Sequence, residues 1–154
     1  MRDLKVALVQ AATVWRDAAA NRTLYADLVR PLAGRADLIV LPETFLSGFS
    51  NEAIAQAEHM GGEGMAWLAG LAREVGAVVT GSLVMRDDDQ VYNRLIWMRP
   101  DGSRAHYDKR HLFRMAGEHE RYAGGAERLI VELKGWRICP QVCYDLRFPV
   151  WSRN

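Results

Sequence analysis

Three short runs with strand character in this chain each end on a chemically different polar residue. Residues 36–42 lead into Glu43, residues 103–108 into Lys109, and residues 136–142 into Cys143. Runs of this length, bounded by turn residues, read as strands. Reactive side chains at several strand exits meet only if the strands lie side by side, which is what an open α/β sheet provides. The thiol at the last exit is followed by Tyr144-Asp145-Leu146-Arg147-Phe148-Pro149, so it is expected at a strand-to-helix corner.

The remaining pattern fits that frame. Residues 4–10 read as an opening strand. Residues 18–32 read as a helix with Leu24, Leu28 and Leu32 at helical spacing and Asn21 as its cap. The strand at 38–41 empties into a loop at 43–49, then a short helix over 51–59 stopped by Gly61-Gly62. Met65, Leu68, Leu71, Ala72 and Val75 form a second helix face closed by Gly76, and 77–83 is the next strand. The alternation then changes. Strands at 92–98 and 104–107, joined by the turn 99–103 after an earlier turn at 87–89, read as antiparallel hairpins. A polar loop runs from Lys109 to Gly125, followed by a strand at 129–133, the turn Lys134-Gly135 and the run to Cys143. Mixed strands with intervening helices imply a layered α/β (α+β) fold with both sheet faces covered.

Length and charge bound the function classes. A chain of 154 residues, 49% apolar and 25% charged, suits one globular domain with a sizeable core. Twenty basic against 19 acidic residues, with no basic block, offer no footprint for nucleic acid or an anionic membrane. No stretch approaches a membrane span, and the N-terminal apolar run is too short for a signal peptide. The two cysteines, Cys139 and Cys143, read as lying ~13 Å apart on one strand, beyond disulfide reach. Two free thiols suit the cytoplasm, with Cys139 read as inert core packing. Trp67, Trp97, Trp136 and Trp151 read as core or interface residues. The histidines His59, His106, His111 and His119 lack metal-ligand spacing, so neither a metal nor a cofactor is expected. The last helix has barely begun at Asn154, so residues 1–154 read as a single domain incomplete at its C-terminus, either truncated or completed by a partner chain.

The segments Leu41-Pro42-Glu43-Thr44-Phe45, Tyr107-Asp108-Lys109-Arg110-His111-Leu112-Phe113 and Val142-Cys143-Tyr144-Asp145-Leu146-Arg147-Phe148-Pro149 resemble, in this order, the catalytic blocks of the carbon-nitrogen hydrolase (nitrilase) superfamily. Within it the chain is most similar to bacterial omega-amidases. The resemblance implies a four-layer α-β-β-α sandwich, of which this chain would supply the N-terminal half or slightly more, and a homodimer. It also implies a Glu43-Lys109-Cys143 triad acting on a small-molecule amide, with a second glutamate between Lys109 and Cys143. Glu118 and Glu120 compete for that position, and the spacing to Gly124-Gly125 favours Glu118.

The chemistry explains the residue types. A thiol with an ordinary pKa of about 8.5 needs a base to become the attacking thiolate, and Glu43 can accept its proton. Lys109 and the backbone N–H of Tyr144 can hold the oxyanion, each such donor being worth ~3 kcal/mol in the transition state. Taken singly, Glu43 reads as a cap and Lys109 with Arg110 as a solvated pair; taken together and in order they read as a site. The substrate class implied by the resemblance is a 2-oxo dicarboxylate monoamide. Arg114 or Arg147 would pair with its carboxylate, and Phe45, Phe113 and Tyr144 would wall the chain. Arg147 reads equally well as a structural ion pair with Asp145. A carbamoylase, a nitrilase and a non-catalytic fragment are the alternatives.

Overall fold

The structure is a computed structural model that describes residues 3–153. Strands β1 (Val6–Leu8), β2 (Leu38–Val40), β3 (Val78–Asp87), β4 (Gln90–Met98) and β5 (Arg104–Asp108) form one sheet in sequence order. The first two pairings are parallel and the last two antiparallel. Helix α1 (Ala18–Val29) crosses from β1 to β2, and α2 (Glu63–Val75) from β2 to β3. The parallel strands need these crossovers, whereas β3–β4 and β4–β5 close with tight turns in which Asp88 (φ 50°) and Gly102 (φ 85°) take left-handed conformations.

Alternation along the strands sorts the core into two faces. Ile39, Val79, Ile96 and Met98 face α1 and α2, meeting Tyr25, Val29, Leu68, Leu71 and Val75 in the main core. The neighbouring residues Leu38, Val78 and Trp97 face the other way and pack on Val131. Val131 belongs to β6 (Val131–Leu133), which pairs with β7 (Trp136–Ile138) through the Lys134-Gly135 turn, both residues at positive φ. The layers therefore run helix, sheet, small sheet. The mixed α/β class is as expected from the sequence.

Several local expectations are corrected. In α1 the buried positions are Asn21, Tyr25, Ala26 and Val29, while Leu28 is exposed. The large Tyr25 ring takes the core side and leaves Leu28 outward, while Leu32 still packs at the edge of the main core. Asp17, not Asn21, caps the helix, accepting from the Ala20 N–H; Asn21 is buried and bonds the Val14 and Leu46 carbonyls. The segment expected as a helix over 51–59 is a 3-10 helix, Asn51–Gln56. The strand expected to reach residue 142 stops at Ile138, because Pro140 has no N–H to continue a ladder. Cys139 therefore lies outside any strand and is exposed rather than packed. Trp136 is 43% exposed, whereas Trp97 is in the core.

Candidate active site

Glu43 leaves β2 in a turn held from β3. The Ser82 hydroxyl accepts from the Thr44 N–H at 2.8 Å, and the Ser82 carbonyl accepts from the Phe45 N–H. Thr44 sits at φ 45°, a left-handed conformation costly for a β-branched residue, and its own carbonyl accepts from the Ser47 and Gly48 N–H groups. The strain is spent at the residue that aims Glu43.

Lys109 follows β5 directly. Its backbone N–H donates to the Asn93 carbonyl on β4, and its carbonyl accepts from the Gly125 N–H. The ammonium is fully buried between two carboxylates: Nζ lies 2.9 Å from Glu43 Oε1, and 3.1 and 2.9 Å from the two oxygens of Glu118. Phe49 stands 5.3 Å away with its ring toward Nζ. Burial alone would pull the Lys109 pKa down, yet Glu43 and Glu118 together hold it above its ordinary value. Glu118 is wholly buried and also accepts the Phe113 N–H. Glu120, the rival glutamate, is exposed.

Cys143 opens a 3-10 turn, Cys143–Arg147, at φ 48°. The corner anticipated from sequence is present, although the element entering it is the irregular stretch after Ile138. Asp145 anchors the corner, accepting from the Tyr107 hydroxyl at 2.7 Å, from the His111 backbone N–H at 2.9 Å and from the Val142 N–H at 3.2 Å. His111 Nδ1 lies 2.8 Å from the same carboxylate, and its ring stacks on Phe148 at 3.7 Å. Tyr107 also receives the Trp151 indole N–H. One buried carboxylate thus ties the cysteine turn to the segment carrying Lys109. Burial and then the Glu43 charge push the Cys143 thiol up to about 11, with Lys109 opposing. Near neutral pH the resting sulfur is a thiol beside a carboxylate.

The other named residues divide. Phe113 and Tyr144 meet with ring centroids 5.1 Å apart. Arg114 and Tyr144 line a cavity of about 380 Å³ with His111, His119 and Phe148. Phe45, expected as a pocket wall, is fully buried in the core between Tyr25 and Trp67. Arg147 is exposed, and the ion pair with Asp145 considered for it does not form, because Tyr107, His111 and Val142 occupy that carboxylate. Sequence reasoning passed over Asn93, whose side-chain amide sits against Glu43 and Glu118, and Phe49. For the first, β4 reads Gln-Val-Tyr-Asn-Arg-Leu-Ile-Trp-Met, and Asn93 beside the charged Arg94 gave no signal of its own. Among the described residues no cluster of three His, Cys, Asp or Glu side chains is suited to a metal.

Comparison with known proteins identifies the lineage. The carbon-nitrogen hydrolase model matches residues 5–154. This chain belongs to the carbon-nitrogen hydrolase family. This carbon-nitrogen hydrolase is 48% identical to omega-amidase YafV of Yersinia enterocolitica, over 100% of its own length and 59% of the relative's. It is 34% identical to a 2-oxoglutaramate amidase of Bacillus subtilis, over 77% of the chain and 47% of that protein. Among solved structures, a CN-hydrolase superfamily protein of Xanthomonas campestris, with an arsenic adduct in its active site, superposes at TM-score 0.98 with 59% identity. That match covers 100% of this chain and 58% of the Xanthomonas chain. The chain thus spans about three fifths of the length of the Yersinia and Xanthomonas relatives.

Proposed function

We propose that this chain carries the catalytic groups of an omega-amidase, hydrolysing the terminal amide of 2-oxo dicarboxylate monoamides such as 2-oxoglutaramate and 2-oxosuccinamate to the dicarboxylate and ammonia. The observation that carries the reading is the buried Lys109 ammonium shared by Glu43 and Glu118, with the Cys143 thiol close enough to feel both the Glu43 and the Lys109 charge. The similarity to omega-amidases supports the reaction class.

Glu43 takes the thiol proton as sulfur attacks the amide carbon. The carbonyl oxygen becomes an oxyanion beside Lys109 Nζ and the Tyr144 N–H. As that intermediate collapses, Glu43 passes the proton to nitrogen, ammonia leaves, and a thioester remains on Cys143. Water, deprotonated by Glu43, then releases the acid and regenerates the thiol. Glu118 holds Lys109 in place and helps orient the water. A thiol raised to about 11 needs such a base at neutral pH. Arg114, which lines a cavity with Tyr144 next to the cysteine, is the better placed of the two arginines to pair with the substrate carboxylate. The working unit is a homodimer.

The test is ammonia release from 2-oxoglutaramate, with Cys143→Ala alongside. Release that vanishes in the variant upholds the amidase reading. Release from N-carbamoyl compounds or nitriles alone replaces it with a carbamoylase or a nitrilase. Sedimentation checks the dimer, since a species of 17.4 kDa at working concentration would overturn it.

A further inference from the structure

Asn93 lies in the middle of β4 and is 1% exposed. Its Nδ2 donates to Glu43 Oε1 at 2.8 Å and lies 3.4 Å from Glu118 Oε1. Its Oδ1 has no protein partner among the described residues. An unpaired buried carbonyl is costly, and a rotated amide would aim that oxygen at two carboxylates instead. The orientation is therefore set by the acids, at a cost on the other side of the amide.

The partners of Glu43 are unevenly shared. Lys109 Nζ, at 2.9 Å, and Asn93 Nδ2 converge on Oε1. Glu118, by contrast, is held on both oxygens, by Lys109 on each and by the Phe113 N–H on Oε2. We propose that Asn93 is a positioning residue of the amidase reaction: with Lys109 it occupies Oε1 of Glu43 and thereby leaves Oε2 as the oxygen that takes the Cys143 proton. The same strand residue sets the height of Lys109, whose backbone N–H donates to the Asn93 carbonyl. One residue thus fixes the base and the cation relative to each other. The ionisable groups facing Glu43 are Lys109 from the end of β5, Glu118 and Tyr122 from the 110–125 loop, and Cys143 from the 3-10 turn. Asn93 is the uncharged donor between the two carboxylates, so it steadies them without adding to the site's charge.

The inference rests on the amidase reading, and its test separates the two. Asn93→Ala and Asn93→Asp are compared with the parent chain for kcat, KM and the pH profile on 2-oxoglutaramate. Thermal unfolding reports whether each variant is folded. The expected result for the alanine variant is a fall in kcat of about tenfold or more with KM little changed, and an acid limb displaced to higher pH. The aspartate variant, matched in shape but bringing a third carboxylate, falls further. A packing role predicts the reverse order, with aspartate the better tolerated, and that order would overturn the proposal. If alanine does not fold, the aspartate variant decides, since parental kcat in it removes the donor role. A second measurement needs no turnover: carbon-13 NMR of labelled glutamate, with the Glu43 carboxylate signal assigned by its loss in Glu43→Gln. That signal moves at neutral pH in Asn93→Ala if the amide holds the carboxylate by its hydrogen bond, and an unmoved signal sinks the idea. Absence of ammonia release from the parent would remove the amidase reading while leaving the NMR result to judge Asn93.

Discussion

At the scale of single residues, the site is an exercise in sharing one positive charge. Lys109 is fully buried, and two carboxylates compete for it. Removing it leaves the wholly buried Glu118 without its cation and facing the partly buried Glu43, so Lys109→Met is expected to cost about 3–5 kcal/mol of stability, measured by urea unfolding. The thiol reads the same charges. Glu43 raises the Cys143 pKa and Lys109 lowers it, so Glu43→Gln should move the pH midpoint of iodoacetamide labelling at Cys143 downward from about 11 while ammonia release is lost. Peptide mass mapping separates this from Cys139, which is also a free, exposed thiol. An upward move would show that Glu43 does not face the sulfur. These residues were legible as types in sequence: an acid and a lysine after strands, and a thiol at a corner. Asn93 was not, because a lone Asn in a strand pattern says nothing about what lies across the sheet.

At the scale of elements, the chemistry depends on how the ends of β2 and β5 and the Cys143 turn are pinned. Arg94, 3% exposed, grips Asp108 with Nε at 2.6 Å and Nη2 at 2.9 Å and reaches Asp87 as well, locking the β4–β5 register one residue before Lys109. Gly125 closes on the same point, where an added Cβ would collide with the Asp108 carbonyl. Gly125→Ala is therefore expected to displace the Lys109 backbone and depress kcat more than KM, read by steady-state kinetics. Asp145 pins the cysteine turn, and Asp145→Ala would strand the buried donors of Tyr107, His111 and Val142. That change is expected to cost about 3 kcal/mol or more, measured as a lowered urea midpoint. A cost within ~0.5 kcal/mol would mean the turn is held by something else. The α2 face and its Gly76 stop were readable in sequence because five apolar residues repeat at helical spacing. The face of α1 was not, since leucines and Tyr25 offered two overlapping stripes and only packing against Phe45 and Val79 chose between them.

At the scale of the whole molecule, burial gives the chain a defined alkaline response. Burial is the leading cause that raises the pKa of Cys143 to about 11 and those of Tyr107 and Tyr122 above their ordinary values. A native state with raised pKa values keeps protons that the unfolded chain releases, so stability is complete below about pH 9 and falls as pH climbs through the raised values. The urea midpoint should decline above pH 9, and less steeply in Cys143→Ala; a flat profile to pH 11 would contradict the burial of the two tyrosines. No helix among the described residues is long and apolar enough to cross a membrane. By itself the sequence determined the mixed α/β class, the order of strands and helices, and which acid, lysine and thiol could act together, because periodicity, turn residues and residue chemistry are local properties. The tertiary structure put Glu118, which spacing already favoured over Glu120, against Lys109, and it alone decided that Phe45 belongs to the core, that Asp145 serves the turn instead of Arg147, and that Asn93 stands between two carboxylates. Those are contacts between residues 9 to 50 positions apart, set by how strands stack and side chains alternate, and no short stretch of chain contains them.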